Sequence, residues 1–214
     1  MIRVCQGHVG RVAQGDIYRN VPMLEYVAQA DSDVEMSVLY FPLVIVLTQD
    51  CDLAQDQRRR SLPEGSGDNH DKMLLSVLVA PLYNAEQVFQ GTHMESFGLK
   101  MAGIPDKYTK GKIRANQLPR YHYVEFPRSV GMIPSIIDFK HYFPTNLGLL
   151  VKTRADYHVC QVSELFREDM PHRFASFLSR IGLPPDDATA PPAEPESGSG
   201  AVSPVGEHPA SSTK

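Results

Sequence analysis

The chain has 214 residues, 42% hydrophobic and 21% charged, with a formal net charge of −4 at pH 7. It can bury one full-sized core, so one domain is expected rather than two. A membrane partner and a disulfide framework are both excluded: no stretch approaches the roughly 20 apolar residues of a transmembrane helix, and Cys5, Cys51 and Cys160 are an odd number at wide spacing with no Cys-x-x-Cys pair.

Residues 1–8 lack the apolar centre of a signal peptide, which together with the free thiols points to a cytoplasmic protein in a reducing compartment. Gly15-Asp16-Ile17-Tyr18 places a turn residue and an acid before β-favouring side chains and predicts the start of a first strand. The β-branched, aliphatic run 38–47 predicts the next, with Pro42 marking a bulge or the strand's true start. Residues 55–72, with Arg58-Arg59-Arg60 and Pro63 to Gly67, read as a mobile surface loop. A second apolar run over 73–83 predicts a strand neighbouring the first run, because sequential strands usually pair. Asn84 is available to cap a short helix over 85–97.

Further along, 119–126 alternates Tyr121, Tyr123 and Glu125 against His122, Val124 and Phe126, the pattern of a half-exposed strand. Strands are also expected over 133–139 and 157–162. A helix capped by Asp169, with Pro171 in its first turn, repeats Phe174, Phe177, Leu178 and Ile181 at helical spacing before Gly182 and Pro184 stop it. At least six strands with short helices predict a mainly β, β-rich α+β domain over 1–183: a partly closed barrel with the C-terminal helix packed on it. Residues 184–214 hold seven prolines and almost no large apolar side chain, and are expected to be a disordered tail. The tail's five acids against Lys214 account for the whole net charge, so the body is formally neutral and any nucleic-acid signal has to come from local segregation.

One candidate site lies where the run 41–47 empties into Thr48-Gln49-Asp50-Cys51-Asp52. In an extended turn Asp50 and Asp52 project to one face and Cys51 to the other. Two such carboxylates can hold a divalent cation, share a proton or receive a basic partner; equally, they can turn the chain through bonds to backbone amides. Cys51 is a poor nucleophile beside two acids, since catalytic thiolates need positive surroundings. Asp16 and Asp138, each at the end of a predicted strand, are the acids that could complete a metal centre able to support phosphodiester cleavage, and both are also plausible turn formers. The eight histidines form no His-x-x-x-His or His-Glu-x-x-His spacing.

A second candidate occupies 107–128, where Lys107, Lys110, Lys112, Arg114, Arg120 and Arg128 face the single acid Glu125, with Tyr108, Tyr121, Tyr123 and Phe126 interleaved. Cations beside aromatic faces are what single-stranded nucleic acid uses for backbone attraction and base stacking. The alternative is a solvated loop followed by an edge strand kept soluble by its lysines.

Gly15-Asp16-Ile17-Tyr18 followed by Pro42 to Thr48 resembles the opening of the PemK/MazF-like toxins, and the resemblance implies a small SH3-like barrel for roughly the first 50 residues. It also implies a strand-end hydroxyl, here Thr48, and an arginine before the proline that stabilises the cleaved phosphate; that position is Phe41 here, which puts the ribonuclease activity in doubt. The Gln49 to Leu53 core, the Ile137-Asp138-Phe139 segment and the stretch 166–184 resemble a group of uncharacterised bacterial proteins with a Gln-Asp-Cys-Asp-Leu core. Two classes of function follow. The first and favoured is a binding module for nucleic acid or a protein partner, within a bacterial toxin–antitoxin or defence system. The second is a nuclease or other hydrolase that uses Asp50, Asp52 and a divalent cation.

Overall fold

Both faces of the run 43–47 are covered, which is why it is apolar throughout. Val44 and Val46 enter one hydrophobic cluster, while Ile45 and Leu47 enter a second on the opposite face. The neighbouring strand divides in the same way, Tyr18 to the first cluster and Ile17 to the second.

The computed structural model describes residues 4–5, 10–30, 33–63, 70–163 and 167–180, all within the compact unit Met1–Arg180. The tail expected over 184–214, and residues 64–69 of the expected loop, lie outside the described residues. Nine strands are present among those described: β1 (Val4–Cys5), β2 (Asp16–Ala30), β3 (Asp33–Val46), β4 (Val77–Pro81), β5 (Tyr83–Asn84), β6 (Tyr121–Val124), β7 (Ser135–Asp138), β8 (Phe143–Thr145) and β9 (His158–Val162). Six form an antiparallel sheet in the order β1-β9-β2-β3-β4-β8, and three form a second, β5-β7-β6. The helices are α1 (Asp50–Arg60), α2 (Ala85–Gln90), α3 (Lys107–Arg114), α4 (Leu147–Lys152), α5 (Arg154–Tyr157) and α6 (Asp169–Leu178). The fold is therefore α+β with two antiparallel sheets, and the larger ladder is open at β1 and β8 among the described residues.

The two apolar runs pair as expected, Val44 opposite Pro81 and Val46 opposite Val79. The second run is shorter than expected, since residues 73–76 precede β4 without joining it. Pro42 does mark an irregularity. Asn20 stands opposite it with φ +54°, between the Arg19–Leu43 and Val21–Phe41 pairs, and there the inward parity of both strands flips: Val21 and Phe41 join the same cluster as Tyr18 and Val44. A strand residue in the left-handed region breaks the pleat, and the proline opposite has no amide to offer the ladder.

Further expectations need correction. Residues 50–60 are helix α1, not an extended turn leading into a loop. Acids in its first turn and three arginines in its last suit the helix dipole, and Leu53 and Asp56 supply its buried face. Residues 107–114 are helix α3 rather than loop, because Asp106 accepts the Tyr108 and Thr109 amides and so satisfies the helix start. The helix expected over 85–97 stops at Gln90, since Gly91 takes φ +80° and a Cβ there would lie 2.5 Å from the Met101 carbonyl oxygen. Asn84 caps that helix as expected.

α6 docks through Met170, Phe174 and Phe177, with the Phe174 ring 5.4 Å and the Phe177 ring 6.0 Å from Phe139. Glu168 rather than Asp169 is its N-cap residue, Leu178 is exposed, and Ile181 lies outside the described residues. The Arg173 guanidinium donates to the carbonyls of Asn116, Leu118 and Tyr121, tying α6 to the connection between α3 and β6.

His122, buried on β6, is pushed down to about 4, by burial first and by the Arg173 charge second. The unfolded chain binds the extra proton near pH 6.5, so stability is intact above that pH and falls as pH drops towards 4, by about 3 kcal/mol from this ring. The His122→Leu variant should lose much less melting temperature than wild type between pH 6.5 and 4. Identical pH profiles of melting temperature would show that His122 is not the titrating group.

Candidate functional site

The end of β3 is bound into the sheet rather than left open. The Thr48 hydroxyl accepts the Leu78 amide at 2.7 Å, splicing the strand end to β4. Two residues on, the helical pitch of α1 separates Asp50 from Asp52 by about 200° around the axis, so they do not share a face. Asp50 turns inward to Arg11, whose two terminal nitrogens meet its two oxygens at 3.0 and 2.6 Å; the Gln14 amide adds a bond at 3.2 Å, and Arg167 lies at 3.8 Å. Partial burial alone would raise the Asp50 carboxyl, but the Arg11 and Gln14 bonds and the two arginine charges hold it below its ordinary value. Asp52 and Cys51 are exposed, with the thiol 3.5 Å from an Asp52 oxygen.

Asp16 and Asp138 are each held elsewhere. Asp16, fully buried, accepts the Ala13 amide at 2.9 Å, Arg154 at 3.1 Å and the His158 ring nitrogen at 3.2 Å. The same Arg154 nitrogen donates to the Tyr18 hydroxyl, a phenol driven far above its ordinary range by burial and by Asp16. Asp138 takes the Arg120 Nε at 2.9 and 3.0 Å and caps the following turn through the Lys140 amide. Asp16 and Asp50 accept the consecutive amides of Ala13 and Gln14, but Arg154 and His158 take up the first carboxylate and Arg11 the second. Among the described residues no three His, Cys, Asp or Glu side chains are placed to hold a metal ion. The Asp16, Asp50, Asp52 and Asp138 set therefore does not assemble.

The basic-aromatic segment divides in two. Lys107, Tyr108, Lys110, Lys112 and Arg114 gather on α3, of which only Ile113 is buried. Tyr108 is 70% exposed, and the Lys112 ammonium stands 4.3 Å over its ring. Lys110 and Arg114 stand 5.5 and 5.0 Å over the buried Phe89 ring, and Arg114 also pairs with Glu86 at 3.3 Å. Lys107, Tyr108, Lys112 and Gln117 line an open groove along this helix. Arg120, in contrast, is committed to Asp138 and stacks on Tyr121. Tyr121 and Tyr123 are half-buried against the first core cluster, and Asn116 pins the Tyr123 amide at 2.6 Å.

A cavity of about 490 Å³, which no sequence motif marks, opens on the edge of the first core cluster. Phe41, Tyr83, Gln87, His93 and Phe97 help to line it. Behind it, the Tyr83 hydroxyl meets the His141 Nδ1 at 3.1 Å, and the His93 ring stands edge-on to Tyr83 at 4.8 Å. Burial lowers both imidazoles. Their separation along the chain matches no short motif, so only the fold could have gathered them. Comparison with protein-family models, curated proteins and solved structures found no match, so the site rests on its own geometry.

Asp50→Asn strips the charge from the Arg11 pair while leaving the Arg11 side chain largely buried, and should cost about 2 kcal/mol. Asp52→Asn, on the exposed side of the first turn, should cost less than about 1 kcal/mol. Chemical denaturation of the two variants separates these outcomes; equal losses would mean that the Arg11 contact contributes nothing special.

Proposed function

We propose that this protein is a binding module that takes single-stranded nucleic acid on the lysine- and tyrosine-bearing face of α3. The observation that carries the reading is Tyr108, a large exposed ring with Lys112 over one face and Lys107 beside it, on a helix whose charged side is turned to solvent. Exposed rings offer a base a stacking surface, and adjacent ammonium groups attract the backbone. The hydrolase alternative has less support, because Arg11 occupies both oxygens of Asp50 and Asp52 points away from it.

We also favour a partly closed SH3-like barrel as the parent architecture. The β2–β3–β4 meander, flanked by β9 and β8, supports it, and so does the coiling that brings Cα atoms of β2 and β8 within 8 Å of each other. The resemblance to PemK/MazF-like toxins carries no ribonuclease mechanism here: Phe41 is buried against Phe97 and Phe143, and the Thr48 hydroxyl is occupied by an amide.

Fluorescence anisotropy with a labelled single-stranded oligonucleotide tests the reading. Three phosphate contacts would give a slope of about −2 in log K against log salt concentration. Lys107→Glu/Lys112→Glu should weaken binding at least ~10-fold and flatten that slope, and Tyr108→Ala should cost about 1–3 kcal/mol with the salt slope unchanged. Wild-type protein that shows no salt-dependent binding would overturn the proposal.

A further inference from the structure

β2 and β3 pair along their whole length, from Ile17 opposite Ile45 to Ala30 opposite Asp33, yet β9 and β4 flank only their sheet-bound ends. Beyond the core the two strands continue as a ribbon. Its register fixes what each face carries. Val21–Phe41 and Met23–Leu39 face the first core cluster, and further out the same face becomes polar, with the Tyr26 hydroxyl donating to Glu35 at 2.8 Å.

The opposite face holds the pairs Pro22–Tyr40, Leu24–Val38, Val27–Met36 and Gln29–Val34. Strict alternation would have sent Val27 to the polar side. The register shift between Leu24 and Tyr26 inserts one residue into β2 and returns Val27 to the line of Leu24. The bulge therefore keeps an apolar stripe continuous on a face that no described residue covers. Leu24 is 57% exposed, Val27 53%, Val34 62%, Met36 64% and Tyr40 62%.

We infer that this stripe is the self-association surface of the protein, and that two copies stack their ribbons face to face across a two-fold axis. At these exposures the five side chains leave roughly 600 Å² in water, at the top of the range for the largest patch on a typical monomer and close to the ~800 Å² per partner of a standard interface once the flanking residues are added. An apolar stripe is complementary to itself, as a two-fold interface requires. The ribbon's charge argues against a polyanionic occupant: residues 21–41 contain no Lys, Arg or His and four acids, Glu25, Asp31, Asp33 and Glu35. An isolated two-stranded ribbon is also marginal in water, and stacking supplies the cover it lacks.

Sedimentation velocity on the full chain at micromolar concentration tests the inference. Wild-type protein should sediment as a dimer. Leu24→Asp/Met36→Asp should raise the dimer dissociation constant at least ~100-fold, with the far-UV spectrum retained because both positions lie outside the core. If that pair misfolds, Val27→Thr/Val34→Thr keeps β-branched side chains in the strands and should weaken the dimer in the same direction. A monomeric wild type would overturn the inference. So would a dimer that survives the folded variants, because it would have to use another face.

Discussion

Asp16 is fully buried at the first residue of β2, and the groups nearest to it are placed to hold its charge. Burying an unpaired carboxylate costs several kcal/mol, so the native state requires Arg154, His158 and the Ala13 amide together. Two of those partners lie about 140 residues further along the chain. They can reach Asp16 only if α5 and β9 return beside β2, and the β9–β2 pairing follows. Asp50 applies the same requirement one turn away, drawing Arg11 and the Gln14 amide onto the start of α1. Gly15 stands between these acids at φ +79°, where a Cβ would come 3.3 Å from the Val162 Cβ and 3.4 Å from the Arg167 Cγ. A side chain at this position would be strained by the positive φ and would need Val162 of β9 to give by a few tenths of an ångström.

With that corner fixed, alternation distributes the core. Strand β3 separates two hydrophobic clusters, and Ile136 and Ile137 of β7 divide between them in the same way. The exchange of faces at Asn20 and Pro42 then decides how far the core extends. It brings Phe41 and Val21 inward, and past Met23 and Leu39 the ribbon leaves the core behind. The exposed stripe is thus set by two departures from regular pairing: one at Asn20, which chooses the inward face, and one near Glu25, which keeps the outward face apolar.

The strands were legible in the sequence wherever a continuous apolar run or clean alternation left only one period that fits, as at 41–47, 77–81 and 121–124. Helices α1 and α3 were missed because their polar composition resembles a loop. The usable signals were there: acids first and arginines last in α1, and a capping aspartate before the lysines in α3. The importance of Asp16, Asp50 and Asp138 was legible too, but their partners were not. Arg11 lies 39 residues from Asp50 and Arg154 lies 138 from Asp16. Pairings at such distances are decided by topology, which spacing along a chain does not encode. The same blindness placed Arg120 among the nucleic-acid contacts, although folding commits it to Asp138.

Those internal pairs also explain how a formally neutral body acquires a polarised surface. Asp16, Asp50, Asp56 and Asp138 are matched by Arg154, Arg11, Arg60 and Arg120, so folding withdraws equal numbers of both signs from the charge available to partners. Among the charges left at the surface are the lysines of α3, with Asp106 at the helix start an acid near Lys112, and Glu25, Asp33 and Glu35 of the β2–β3 ribbon. A low net charge permits association, and segregation of this kind decides which surfaces take part, since like-charged patches repel and screening acts over only about 10 Å. The anion binding proposed for α3 would draw on lysines that none of these four acids claims. The ribbon, whose residues 21–41 carry no cation, offers the proposed second copy the apolar face that its bulge keeps in line.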